Sequence, residues 1–207
     1  MSAAALESLW RAALTAADPY AATLAALPDP PTSGRLAVLA AGKAVARMAE
    51  AAEARFGDQV TGLAVAPDGY GASLRFLEMI AASHPTPDAR GLEAAAKALK
   101  LAESLGEGDL LLTLISGGAS ALLPAPVAGV SLTEKQALTR ALLASGAPIA
   151  AINGVRKHLS RLKGGRLAIS AWPGAPRPVP ADALLPERAL DGDPLARIAL
   201  EERIALP

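Results

Sequence analysis

The sequence predicts a three-layer α/β domain on a mostly parallel sheet, and three observations carry that expectation. Its apolar runs, above all RLAVLAA at 35–41 and LLLTLI at 110–115, lack the alternation of a sheet with one wet face, so they read as strands covered on both sides. Helical patterns alternate with these runs, as they do where parallel strands are joined. Each run stops abruptly at glycine, proline or small polar residues, the turn chemistry of a strand end.

In chain order, Leu6, Leu9, Trp10 and Leu14 recur at helical spacing, and Asp18-Pro19 divides the first two dozen residues into two helical pieces. A turn holding Pro28, Pro30 and Pro31 leads into the first strand, 35–41, which Gly42 closes. A helix over 43–55 follows, with Val45, Met48 and Ala52 inward. The second strand is 61–66, ending at Pro67-Asp68-Gly69; the third is 77–82, ending at His84-Pro85-Thr86-Pro87-Asp88. Asp88 has the side chain to cap a helix running to Leu105, and Asp109 opens the fourth strand, which gives way at Ser116-Gly117-Gly118. Helices are expected over 132–145 and 149–162, with another start at Lys163-Gly164-Gly165-Arg166. Residues 1–172 therefore read as one domain. From 173 to 207 periodicity fades and seven of the chain's seventeen prolines collect, so that stretch reads as a poorly packed, mobile tail.

Composition narrows the function. Twenty basic residues balance twenty acidic ones and no Lys/Arg block occurs, which argues against a nucleic-acid partner. Cysteine is absent, excluding disulfides, thiolate metal sites and cysteine nucleophiles. The uncharged stretch between Asp109 and Glu134 is interrupted by Gly117, Gly118, Pro124 and Pro126, so it reads as buried strand and turn, not a membrane span. The N-terminus lacks a basic segment followed by an apolar core, and the protein reads as cytoplasmic.

In parallel α/β sheets ligands collect at the carboxyl ends of the strands, where AAGK, APDGYG, SHPTPD and ISGGAS all fall. The Ser116–Ser120 turn offers backbone N–H groups with little side chain in the way, a cradle for phosphate or carboxylate or simply an economical turn. Lys43, placed against the positive end of a helix, reads either as a cation awaiting an anion or as a surface lysine. His84 is a general base, a phosphate contact or a hydrogen-bonded turn residue. Asn153, Arg156, Lys157 and Ser160 form a dense polar string, with Asn153, Arg156 and Ser160 on one helical face. No His pair, thiolate or carboxylate cluster supports a protein metal site; a magnesium ion carried by a nucleotide would need only one or two carboxylates, with Asp68 and Asp88 the candidates. Neither a Walker motif nor GxGxxG occurs.

Four strings, AAGKA at 40–44, HPTPDARG at 84–91, LISGGASALL at 114–123 and INGVRKHLSRLKGGRLA at 152–168, resemble in order and spacing the motifs of type II glycerate kinases, the glycerate 2-kinases associated with the MOFRL domain. The resemblance spans about Leu6 to Trp172. It implies a Rossmann-like N-terminal domain that transfers the γ-phosphoryl of ATP, with Mg2+, to the 2-hydroxyl of D-glycerate, giving 2-phosphoglycerate. By the same resemblance Lys43 stabilises the phosphoryl group in flight. Ser116, Gly117, Gly118 and Ser120 form the phosphate-binding loop, and His84, Asp88, Asn153, Arg156, Lys157 and Lys163 complete the binding site. Some relatives carry the label hydroxypyruvate reductase, for which the sequence has no nicotinamide fingerprint.

Two departures from the family pattern stand out. Ala119 replaces the third glycine of the loop, a change that leaves backbone donation intact where φ is negative. After Trp172-Pro173-Gly174 the sequence is unrelated to the family, whose MOFRL domain closes the cleft and supplies an arginine. The expectation is therefore the N-terminal half of such a kinase, its partner domain missing and no turnover by the chain alone. Two further readings stay open: a non-catalytic module for small anions or nucleotides, and a subunit completed by a separate MOFRL domain.

Overall fold

A computed structural model describes residues 2–173; the expectation of a mobile tail falls on residues outside that range. At its centre lies β1 (Leu36–Ala41), buried along its whole length. Leu36, Val38 and Ala40 pack with Val45, Ala49 and Ala52 of α3 (Val45–Phe56), while Leu39 and Ala41 join Ala94, Ala95 and Ala98 of α4 (Ala89–Glu103) in a second cluster. Successive side chains of one strand thus serve two apolar layers, which is why its sequence has no polar position.

Four strands, β1, β2 (Val60–Pro67), β3 (Glu78–Ala82) and β4 (Leu110–Ile115), form a parallel sheet in the order β3-β2-β1-β4. The chain builds outward from β1 to β3, then returns through α4 to lay β4 on the other side of β1. That reversal makes a topological switch point at the carboxyl ends of β1 and β4, the place where open α/β sheets hold their ligands.

Two readings of the sheet are corrected. No helix joins β2 to β3: residues 68–77 are irregular, and the Glu53 carboxylate of α3 anchors their far end by accepting the amides of Arg75 (3.0 Å), Phe76 (2.8 Å) and Leu77 (2.9 Å). β4 is an edge strand within the described residues, with Thr113 exposed and Ile115 55% exposed, not a strand covered on both faces. An apolar run records a surface suited to contact without saying which element makes the contact. The N-terminal pattern does split at Asp18, whose carboxylate accepts the amides of Tyr20 and Ala21, into α1 (Ala3–Ala16) and α2 (Pro19–Ala26). Yet α1 buries no residue, and Trp10 is 60% exposed.

Beyond β4 come α5 (Ala119–Leu122), α6 (Leu132–Ala144), α7 (Ile149–His158) and α8 (Arg166–Ala171). Leu142, Ile152 and Val155 form a small third cluster that joins α6 to α7. Helix α7 ends before the expected Leu162, so Ser160 leaves the face it was to share with Asn153 and Arg156; fully buried, its hydroxyl accepts the amides of Leu162 and Lys163. Among the described residues no helix is long and apolar enough to cross a membrane.

Candidate active site at the sheet switch point

The turns after β1 and β4 are stapled together. The Lys43 amide donates to Gly117 O (2.8 Å) and the Ala44 amide to Ser116 Oγ (3.1 Å). Gly42 is required for this approach: its φ is +134°, and a Cβ there would stand 2.1 Å from Ser116 Oγ. With Gly117 O and Ser116 Oγ engaged, the amides of Gly117 and Gly118 donate to no acceptor among the described residues. Gly118 needs its own glycine, at φ +95°, whereas Ala119 already lies in α5, so the replaced third glycine leaves the turn undisturbed. Because α5 is a single turn, the polarity of this cradle comes from individual amides and little from a helix dipole.

Two side chains close on Gly118. A Cβ placed there would be 3.0 Å from His84 Nε2 and 3.5 Å from Lys43 Cγ, so the turns after β1, β3 and β4 meet at one point. Lys43 lies one residue before the N-cap Ala44 of α3, with its side chain exposed. Asp88 is spent elsewhere. It caps α4 through the Gly91 amide (3.0 Å) and receives Arg90 Nε (2.7 Å). Burial raises its carboxyl, but the Gly91 amide, Arg90 and the Ser83 amide outweigh burial and hold it below the usual range. Asp68 takes the other side of the same guanidinium at 2.6 and 2.8 Å. The two candidate carboxylates for magnesium are thus tied to Arg90, and the described residues contain no cluster of three or more His, Cys, Asp or Glu able to hold a metal ion.

Helices α7 and α8 supply the opposite wall. A cleft of about 470 Å³ has Leu39, Ile115, Leu123 and Leu162 on its apolar side and Ser120, Asn153, Arg156, Lys157 and Lys163 on its polar side. Arg156 bridges the walls, donating through Nη2 to Ser120 Oγ (3.1 Å) and through Nη1 to Asn153 Oδ1 (3.2 Å). Lys163 Nζ donates to Leu123 O (2.9 Å). Buried Arg166 fixes the end of α7 by donating to Lys157 O and Ser160 O, each at 2.7 Å.

Sequence reasoning missed Lys135. It is 9% exposed, and its Nζ donates to Leu159 O at 2.6 Å, linking α6 to the end of α7. The signal was its place in the stripe Lys135-Leu138-Leu142, where a lysine replaces an inward apolar residue. Burial, then the Arg156 charge, pushes Lys135 down to about 8; burial, then Lys135 and Arg156, pushes Lys163 down to about 7. Lys43, Lys135, Arg156, Lys157 and Lys163 make no ion pair with any acidic side chain of the described residues. In a chain of zero formal net charge, this is a local surplus of positive charge, of which Arg156, Lys157 and Lys163 line the cleft.

The molecule is a doubly wound parallel α/β domain whose switch point gathers unspent amides and uncompensated cations. The profile of one family, a domain of unknown function termed DUF4147, matches residues 5–177, and the chain belongs to that family. Its relatives include the glycerate 2-kinase of Pyrococcus horikoshii, 41% identical over 75% of this chain and 38% of that protein. The D-glycerate 2-kinase of Thermotoga maritima is 44% identical over 67% of this chain and 34% of that one. A protein of Agrobacterium vitis with the provisional name hydroxypyruvate reductase is 44% identical over 81% of this chain and 38% of its own length. The crystal structure of a glycerate kinase from Thermotoga maritima superposes with a TM-score of 0.71 at 33% identity, over 97% of this chain and 53% of that one. The chain thus spans between 28% and 53% of the length of the relatives it matches.

Proposed function

We propose that this chain is the phosphoryl-handling half of a glycerate 2-kinase, which moves the γ-phosphoryl of ATP to the 2-hydroxyl of D-glycerate and releases ADP and 2-phosphoglycerate. The observation that carries the reading is the uncompensated cation cluster beside the Ser116–Ser120 turn. Phosphoryl transfer asks a protein chiefly for fixed donors and positive charge around a mobile anion, and both are present. Lys43 Nζ and the Gly117 and Gly118 amides steady the phosphoryl oxygens. Arg156, held by Ser120 and Asn153, and Lys163 take the fixed anionic end of the substrate. His84 Nε2, against Gly118, receives the hydroxyl proton as the new P–O bond forms and the bond to ADP breaks.

With Asp68 and Asp88 committed to Arg90, the described side chains do not fit a protein-held magnesium ion. A second domain, the MOFRL domain or its equivalent, completes the site. Support for this comes from the exposed Ile115 on the cleft wall and from the fraction of the relatives that the chain spans. The work is assigned to the cytoplasm, a reducing compartment that the absence of cysteine fits.

Calorimetric titration of the chain with ATP and D-glycerate, beside a coupled assay for ADP and 2-phosphoglycerate, tests the reading. Binding by the chain is expected, with turnover appearing once the remaining half of a relative is added. Absence of binding for both ligands would overturn it.

A further inference from the structure

Buried Lys135 and half-buried Lys163 pose a question that phosphoryl transfer alone leaves open. Lys135 comes from α6, Arg156 from α7 and Lys163 from the turn before α8, and none is paired with a carboxylate among the described residues. A cation that caps the end of α7 accounts for Lys135, through its bond to Leu159 O. It does not account for a second lysine and an arginine drawn to the same place, where each charge opposes the others.

We propose that Arg156 and Lys163, which line the cleft, take up a small oxyanion and a proton together, with Lys163 Nζ as the protonated atom. This inference rests on the kinase reading, since the oxyanion is the carboxylate or phosphate of that reaction's substrates. Lys163 lines the cleft, so an anion there reaches it directly. The charges that face it are Lys135 from α6 and Arg156 from α7, with Lys157 of α7 beside Gly164; its hydrogen-bond partner, Leu123 O, is neutral. Partly withdrawn from water among like charges, Lys163 is pushed down to about 7, so the free pocket at slightly alkaline pH carries less charge than its residue types suggest. A bound oxyanion reverses the local field and restores the proton. Anion affinity then falls as pH rises above 7, because each binding event must draw a proton from a scarcer supply.

The test is calorimetric titration of the 207-residue chain with D-glycerate and, separately, with sulfate, from pH 6.5 to 9 in buffers of different ionisation enthalpy. Neither ligand titrates in that range, so any proton exchanged belongs to the protein. Uptake approaching about one proton per ligand near pH 8 is expected, with Kd weakening by up to about tenfold per pH unit. Lys163→Arg, charged throughout, is expected to bind with uptake cut to what Lys135 contributes and with a shallower pH profile. Uptake with D-glycerate alone assigns the pocket to carboxylate; uptake with sulfate as well assigns it to oxyanions generally. Binding of either ligand with no proton exchange overturns the pocket and leaves the kinase reading standing, as does binding of ATP while D-glycerate and sulfate both fail. Failure of ATP and D-glycerate together strikes the kinase reading itself, and sulfate uptake then judges the pocket alone.

Discussion

The two walls of the cleft are built by opposite means. On the sheet side, next to the Ile115, Ala119 and Ser120 that line the cleft, backbone is presented: Gly42 lets the turns after β1 and β4 touch, and the amides of Gly117 and Gly118 are left to donate. The helical wall presents side-chain charge, packed by α6, α7 and α8 around Arg156 and Lys163. Amides cannot titrate, and their positions follow from strand register. Buried lysines titrate readily, since every like charge nearby and every lost water lowers their hold on a proton. On the proposed reading, anions are recognised at a fixed place on one side and in a pH-dependent manner on the other.

The largest effect is expected where the walls meet the reaction. In an assembly that turns over, Lys43→Ala should lower the rate by about a hundred- to thousandfold, the scale of losing one donor aimed at transition-state charge, with unchanged circular dichroism. Unchanged turnover would remove Lys43 from the site. A sharper probe of the sheet wall is Gly117→Val. A Cβ at Gly117 meets nothing within 4 Å and its φ is not positive, so the new side chain enters open space without straining the turn. Nucleotide affinity should drop by at least about tenfold while Tm holds. Gly118→Val should lose both, because its φ of +95° and the nearby His84 resist any side chain.

The smallest effect separates the helical wall by its sign. Lys163 and Lys135 hold protons less tightly in the folded chain than when unfolded, so between pH 7 and 9 the unfolded state binds more protons and stability rises with pH. Urea denaturation of the free chain should show a gain of roughly 1 kcal/mol per pH unit, reduced in Lys163→Met. A fall in stability over that range would mean that carboxylates neutralise the cluster.

What the sequence disclosed follows the same division. β1 and the turns at Gly42, His84 and Ser116 were legible because strand period, glycine and proline act locally. The edge position of β4 was not, since Leu110–Ile115 reads alike in a central strand and in one whose neighbour lies elsewhere. Asp88 was legible as the cap of α4, but its shared hold on Arg90 with Asp68, distant in sequence, was not. Lys135 escaped for a related reason: its meaning depends on which helices bring Arg156 and Lys163 alongside it, and only tertiary packing decides that. The helix of α1 was legible from its spacing, but that spacing reports amphipathicity and not the presence of a partner, and α1 buries no residue.

The central claim is that both walls serve one anion site at the switch point, and backbone amide shifts test it most directly. Titration with 2-phosphoglycerate, which carries a phosphate and a carboxylate on one short frame, should move the amides of Gly117, Gly118 and Ser120 together with those around Arg156 and Lys163. The two sets should saturate at the same Kd. Shifts confined to one wall, two unequal saturation curves, or changes centred away from the ends of β1 and β4 would contradict the claim.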